Sequence, residues 1–353
     1  MQEISDMKVG KYESGGNYKM QTQISEILLQ ISNLIEKDQF SEAVELANGI
    51  VKQHPQLVDD RFQAELQLIM KQIEYKAALK DYNYLRSLAL VYKYCEMNYA
   101  AVLDDFEREI ADRGDEDKDT RLPEADTVWW CWLQGLDRAP EIVKTCYQSL
   151  KGIGSRILVL DERNLQNYVE LPACVEEKYR AGLIGSAHYT DLVRLEILTQ
   201  RGGTWIDATT YISNAEKARL FLASEALFLY RTGNVSEQII FDNWFMHAQK
   251  TSNILEGTKR LLYTYWEREN EAKHYFIFHL MMTLACRRFQ EEYQSIPLFS
   301  NEPCHVLQHE LYKPYTEKRW KQICDMSNVH KLTYKFDPKM DVTGTFLEYL
   351  LGK

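Results

Sequence analysis

An acidic run, DRGDEDKDTRLPE at residues 112–124, separates two stretches of chain with different hydrophobic periods, and no single repeating architecture satisfies both. The run holds six acidic residues, one Gly and one Pro and keeps no hydrophobic period, so residues 112–125 read as an acidic linker. Before it, apolar residues recur at helical spacing. Ile24, Ile27, Leu28, Ile31, Leu34 and Ile35 form one stripe. Phe40, Ala43, Leu46, Ala47, Ile50 and Val51 form a second, which ends at His54-Pro55. Further helices are expected over 62–80 and 82–110. The segment KDQFSEAVELANGIVKQHP is tetratricopeptide-like, but the several copies that a solenoid needs are not found. Residues 1–18 are polar and contain glycine, a flexible tail, which leaves 19–111 as an all-α helical domain.

After the linker, short apolar runs alternate with helical patterns. TVWWCWL (127–133) is β-prone, a helix is expected over 140–150, and RILVL (156–160) reads as a buried strand. A helical segment over 187–200 runs into Gly202-Gly203 and the strand-like TWIDATTY. This alternation predicts an α/β domain over 126–353 with a mainly parallel sheet, whose ligands gather at the carboxyl ends of the strands. Gln134-Gly135, Asp161 and Asp207 then share one rim. Residues 253–294 return to helix, and 330–335 read as a short strand or loop.

Composition narrows the partners. A net charge of −10 is unsuited to general nucleic-acid binding, which needs a dense basic face, yet leaves room for one small anion. The seven cysteines show no CxxC or zinc spacing, which suits a reducing compartment. No apolar run approaches a membrane span, and MQEISDMKVGKYESGG has no apolar signal core. A cytoplasmic protein, at most peripheral at the inner face of a membrane, is expected. The 22 Tyr and 7 Trp supply rings that stack on sugars or bases, although most such rings are core.

The most informative segment is SAHYTDLVRLEILTQRGGTWIDATTY, residues 186–211. Asp191 and Arg194 are three residues apart on one helix face, as a surface ion pair or as ligands. Gly202-Gly203 ends the helix. The strand that follows delivers Asp207 to the carboxyl edge, where it is a site residue or a turn residue.

The spacing S-x-x-x-x-D-x-x-R-x-x-x-L-x-x-x-G-G-x-x-x-D resembles the sugar-donor motif of GT-A-fold glycosyltransferases. It is most similar to the capsular polysaccharide synthesis glycosyltransferases and more distantly to the large clostridial toxin glucosyltransferases. Weaker matches (VWWCWLQG, VLDERN, DNWFMHA, YFIFH and HKLTYK) extend the likeness over most of 128–335. The resemblance implies a GT-A-like, Rossmann-type unit with Asp191, Arg194 and Asp207 as its catalytic set. Asp191 and Arg194 would hold hydroxyls of the donor sugar, and Trp132 would stack on the base of a UDP-type donor. Asp207 would contact ribose and sugar or reach a metal. Gln134, Gly203 and Thr209 complete the implied donor contacts.

One departure bears on the cofactor. The usual metal-binding D-x-D reads Asp207-Ala208-Thr209 here, and a hydroxyl is a weaker ligand than a carboxylate for a hard cation. Mn²⁺ or Mg²⁺ use is left open, with Asp242, His279 or a side-chain cation as alternative suppliers. His279 is otherwise a hydrogen-bonded core histidine. Lys331 and Lys335 either neutralise a pyrophosphate or are solvated surface charges. Asn243 and Trp244, read as lying on a helix face, line the sugar or acceptor pocket or belong to the core. Asp161 contacts the nucleoside or caps the following helix. Trp129, Trp130 and Tyr211 are taken as packing.

The expected reaction is transfer of a sugar from a nucleotide-diphosphate donor, UDP-linked by resemblance and with retention, to a glycan or lipid-linked acceptor in capsular or extracellular polysaccharide synthesis. A rim carboxylate contributes little to a core, so Asp207→Ala is expected to abolish turnover and leave the fold intact. Two alternatives stand beside this reading: a domain that binds nucleotide sugar without transferring it, and a scaffold whose helical domain recruits a protein partner or a second copy.

Overall fold

The computed structural model describes residues 15–37, 39–53, 60–113, 120–153, 156–224, 227–233, 236–336 and 340–352. Its helices are α1 (Gly15–Glu36), α2 (Phe40–Gln53), α3 (Asp60–Tyr99), α4 (Ala101–Arg113), α5 (Glu141–Ser149), α6 (Ala173–Arg180), α7 (Ser186–Gln200), α8 (Ala215–Leu222), α9 (Asn253–Arg268), α10 (Ile277–Arg288), α11 (Gln290–Ser295), α12 (Glu302–Glu310), α13 (Glu317–Met326) and α14 (Phe346–Leu351). Its strands are β1 (Thr127–Cys131), β2 (Arg156–Leu160), β3 (Gly203–Ile206), β4 (Thr210–Ile212), β5 (Phe228–Arg231), β6 (Phe241–Ala248) and β7 (Val329–Lys331).

The chain divides into two compact units, Met1–Ser87 and Leu88–Lys353, with the division inside α3. In the first unit the two predicted stripes meet: Ile31 and Ile35 of α1 are buried with Ala43 and Ala47 of α2. Residues 1–14 of the expected tail, His54-Pro55 and residues 114–119 of the expected linker lie outside the described residues, while Gly15 already begins α1.

The division differs from the predicted one at 112–125. Leu88, Tyr92, Cys95, Tyr99 and Leu103 are buried in the core of the second unit, because the apolar side of this helical stretch packs there. Leu122 and Ala125 are buried too, and the Leu122 N–H donates to the Gln249 carbonyl at 2.9 Å, so this end of the acidic segment is packed structure. The predicted break near residue 81 falls within α3, and the chain bends instead at Ala100.

The second unit is mixed α/β. A five-stranded sheet has the order β2-β1-β3-β6-β5. β1 pairs parallel with β2 and β3, whereas β6 runs antiparallel to both β3 and β5. Four strands therefore point one way and β6 the other. β4 and β7 form a separate antiparallel pair.

The strand period of two sorts side chains onto opposite faces of the sheet. Trp129 and Cys131 enter one core with α7, α9 and α10, while Val128 and Trp130 enter the other with α5, α12 and α14. α7 is buried almost all round, as a helix lying between the sheet and another helix must be. Its exit is tightly constrained. Gly202 and Gly203 have φ of 73° and 96°, and a Cβ on Gly203 would sit 2.4 Å from the Thr127 carbonyl oxygen. Only glycine fits there without displacing β1.

Candidate functional site

The carboxyl ends of β1 and β3 and the amino end of antiparallel β6 meet at one rim. The β1–β3 register pairs Trp129 with Trp205, and continued by two residues it sets Cys131 beside Asp207. Across the other edge of β3, the Asp207 N–H donates to the Trp244 carbonyl at 2.8 Å. Asp207 then accepts from the Thr210 N–H at 2.9 Å through its own carbonyl, so Asp207-Ala208-Thr209 is a tight turn between β3 and β4.

The turn aims the Asp207 carboxylate at two cations. Its Oδ1 accepts from Arg194 Nη2 at 2.7 Å and from Trp205 Nε1 at 2.9 Å, and its Oδ2 accepts from Lys331 Nζ at 2.7 Å. Burial works to raise the Asp207 pKa, but Lys331 and Arg194 outweigh it and hold the group below its usual value. Arg194 is 2% exposed, lies over the Trp205 ring at 5.0 Å, and reaches Asp191 Oδ1 at 3.0 Å through Nη1. That last contact is an ion pair without hydrogen-bond alignment, and Arg194 Nε and Nη1 are buried with no acceptor. Asp191 also accepts from Asn243 Nδ2 at 2.9 Å.

A second acidic group flanks this cluster. Asp242 accepts from Trp244 Nε1 at 2.9 Å and from the Asn301 amide, and His305 Nε2 lies 3.9 Å away. Burial again opposes ionisation, and His305, His279, Trp244 and Asn301 together hold the carboxylate below its usual pKa. Burial pushes His279 the other way, below the usual imidazole value.

Of the residues singled out from the sequence, Asp191, Arg194, Asn243, Asp207 and Lys331 form one bonded cluster. Trp132 follows β1 on the same rim, half-buried, with its ring edge-on to Tyr334 at 5.2 Å. Trp244 lies on strand β6, not on a helix; it is buried and stacked on Tyr230 at 4.9 Å, with Lys331 Nζ 6.0 Å from its ring. Thr209 is buried in the turn, and its carbonyl accepts from the Leu332 N–H.

The other residues singled out lie outside this cluster. Gly203 sits at the amino end of β3, four residues and about 13 Å from the rim, where it serves close packing. Asp161 is buried against Arg163, accepting from its backbone N–H at 2.9 Å and its Nε at 3.0 Å, so its carboxylate organises its own turn. Gln134 and Lys335 are exposed, and neither side chain bonds to another described residue. His279 is buried in α10 with Nδ1 unpartnered, not the hydrogen-bonded core histidine considered above. The likeness of Trp129 and Trp130 to packing residues holds, since both are fully buried.

A model of the family described as "Capsular polysaccharide synthesis protein" matches residues 72–350, about four-fifths of the chain. The chain belongs to that family. The family's span takes in most of α3, from residue 72, and all of α4, and so begins within the first unit. Among solved structures, a "PaToxG Glycosyltransferase" is similar over 57% of this chain and 86% of its own, at 11% identity and a TM-score of 0.34, too distant to carry an argument. No curated protein matches. No described helix of this capsular-family chain is long and apolar enough to cross a membrane.

Three participants escaped the sequence. His188 accepts from Trp266 Nε1 at 2.9 Å through Nε2, which places Nδ1 3.5 Å from Asp191 Oδ2. Its position one helical turn before Asp191 was the available signal. Tyr334 lay within the HKLTYK match without being singled out, and Asn301 had no signal, because it reaches the rim only through long-range packing.

Proposed function

We propose that this chain is a glycosyltransferase with a GT-A-like catalytic unit, taking a sugar from a nucleoside-diphosphate donor, UDP-linked, to a hydroxyl of a glycan in capsular or extracellular polysaccharide synthesis. The supporting observation is the closed cluster Asp191–Arg194–Asp207–Lys331 at the carboxyl rim, beside the half-buried Trp132. Carboxylates and a guanidinium are suited to sugar hydroxyls, an indole to a flat base, and an ammonium to a departing diphosphate.

The donor set does not suit a divalent ion. Asp207 Oδ1 already takes two N–H groups and Oδ2 an ammonium, Thr209 offers only a hydroxyl, and His279 is buried within α10. Among the described residues no three His, Cys, Asp or Glu gather in a metal-holding group. Lys331 therefore takes the charge-neutralising role in this proposal. The bond from the sugar's anomeric carbon to the diphosphate oxygen breaks, the acceptor oxygen bonds that carbon, and the acceptor proton leaves on the diphosphate. Retention follows if attack and departure share one face. Catalysis then rests on positioning and electrostatics.

Incubation of the protein with a panel of nucleotide sugars, following nucleoside-diphosphate release with and without glycan acceptors, tests the proposal. Release with one donor supports it; no binding and no release with any donor removes it. A second reading, nucleotide-sugar binding without transfer, is favoured by the full commitment of Asp207 to internal partners. Tight donor binding with no turnover across acceptors would select it.

A further inference from the structure

A cavity of about 550 Å³ lies outside this cluster, within the size range of small-ligand sites. Arg231 at the end of β5, Ile239 and Ile240 leading into β6, Arg287 of α10 and Tyr293 of α11 line it. The two arginines set its character.

Arg231 has its guanidinium 5.2 Å from the centre of the Phe241 ring and 5.0 Å from that of Tyr293. Nη1 donates to the Tyr293 hydroxyl at 3.1 Å, while Nε is buried with no acceptor. Arg287 donates to the Tyr92 hydroxyl at 2.8 Å and to the Glu237 carbonyl at 2.9 Å. All of these partners are neutral. Glu237 lines the same cavity, yet its carboxylate pairs with neither arginine. Elsewhere in the unit, Arg194, Arg260, Arg288 and Arg319 each hold a carboxylate. Arg201, Arg219 and Arg268 bond backbone carbonyls and lie outside this cavity.

Arg231 is half-buried and Arg287 exposed, and neither has a counter-ion although the Glu237 and Glu302 carboxylates lie at the same lining, so the two guanidiniums offer donors that a bound anion would satisfy. The flanking rings hold the Arg231 plane fixed, and a fixed guanidinium edge matches the two oxygens of a phosphate or carboxylate. We propose that this cavity is an oxyanion-binding site, separate from the Asp207 cluster, that takes a phosphate or carboxylate group through Arg231 and Arg287.

Asn301 connects it to the rim, donating its backbone N–H to the Arg231 carbonyl at 2.9 Å and its amide to Asp242. Resting on the glycosyltransferase proposal, the anion is a charged group of the acceptor: a lipid-linked diphosphate or an acidic sugar. The anion binding itself does not depend on that proposal.

Calorimetric titration of the full chain with inorganic phosphate, pyrophosphate and glucuronate, in the absence of UDP, tests the assignment, and the two arginine variants separate this cavity from any donor site. Saturable binding of at least one anion is expected, and Arg231→Gln and Arg287→Gln should each weaken it by roughly 10- to 100-fold, the scale of a lost charge-assisted contact. Preference for the phosphates points to a diphosphate-linked acceptor, and preference for glucuronate to an acidic glycan. Should Arg231→Gln fail to fold, Arg287→Gln carries the test. No saturable binding of any anion, or unchanged binding in the folded variants, overturns the site. UDP titrated to the folded Arg231→Gln or Arg287→Gln variant reports the donor site separately, so failure there with wild-type anion binding intact would count against the glycosyltransferase proposal only.

Discussion

Removing the Asp207 carboxylate should destabilise the protein measurably, contrary to the expectation from sequence that such a change leaves the fold intact. The carboxylate accepts from Lys331 and Arg194 at 2.7 Å each and from Trp205 at 2.9 Å. At 2.7 Å the bare attraction to Lys331 is about 6 kcal/mol for an effective dielectric of about 20. Desolvation takes back much of that. A net charge-assisted hydrogen bond contributes about 1.5–3 kcal/mol. The side chains of Lys331 and Asp207 remain 19% and 25% exposed, which adds solvent screening and places the coupling near 2 kcal/mol.

Four proteins measure it: wild type, Asp207→Asn, Lys331→Met and the double variant, each unfolded in urea and followed by circular dichroism. Asp207→Asn leaves the buried guanidinium only its ion pair with Asp191 and should lose about 3 kcal/mol. Lys331→Met leaves Asp207 its bonds to Arg194 and Trp205 and should lose about 2 kcal/mol. The double variant should be less destabilised than the sum by about 2 kcal/mol. A coupling below about 0.5 kcal/mol would refute the claim that Lys331 and Asp207 act as one unit.

Trp132→Ala should weaken UDP binding by about 1–3 kcal/mol, the scale of base–aromatic stacking, and unaltered UDP affinity would return Trp132 to the core. Nucleoside-diphosphate release should survive exhaustive treatment with a chelator, and loss of activity restored by Mn²⁺ or Mg²⁺ would show that a metal displaces Lys331 from Asp207. His247 and His330 are fully buried, and burial lowers each from an ordinary 6.5 to about 4. As pH falls through that window the unfolded chain binds these protons and the folded chain resists them, so stability drops by up to about 3 kcal/mol per histidine. Urea midpoints at pH 7 and 4.5 check this, and His247→Gln should flatten the slope; an equal slope in that variant would contradict it.

What was legible in the sequence follows from what a local pattern can encode. RILVL is β2 to the residue, but the run reads as a buried strand and is an edge strand paired only with β1, with Leu160 alone fully buried, because an apolar run encodes the strand and not its place in the sheet. The Asp191–Arg194 spacing and the glycines after α7 fix a helix, its end and the strand that follows, and all three appear. DNWFMHA was misread because its buried positions do not alternate cleanly, so its period fits a helix as well as a strand. Lys331 was visible only as a basic residue near the end of the chain. Its place beside Asp207, 124 residues away, depends on the β4–β7 pairing, for which no local pattern exists. Gly203 misled in the opposite direction: a glycine in a ligand motif suggests a ligand, whereas the Thr127 carbonyl 2.4 Å from its missing Cβ explains it fully.

The charge balance at the rim constrains how a donor could enter. Arg194 and Lys331 face Asp191 and Asp207, two cations against two carboxylates, so the cluster is neutral as it stands. A diphosphate adds negative charge to a site with no positive surplus. Arg194 is locked by burial and by both carboxylates, but Lys331 has a single bond to Asp207 and remains partly exposed. On the glycosyltransferase proposal, then, Lys331 is the group that turns from Asp207 to the diphosphate, and Asp207 is left with Arg194 and Trp205 while its Oδ2 becomes available to a ribose or sugar hydroxyl. One movement of one side chain would create both the cation and the acceptor that the donor needs. The same exchange explains why a carboxylate with every oxygen engaged can still belong to a binding site.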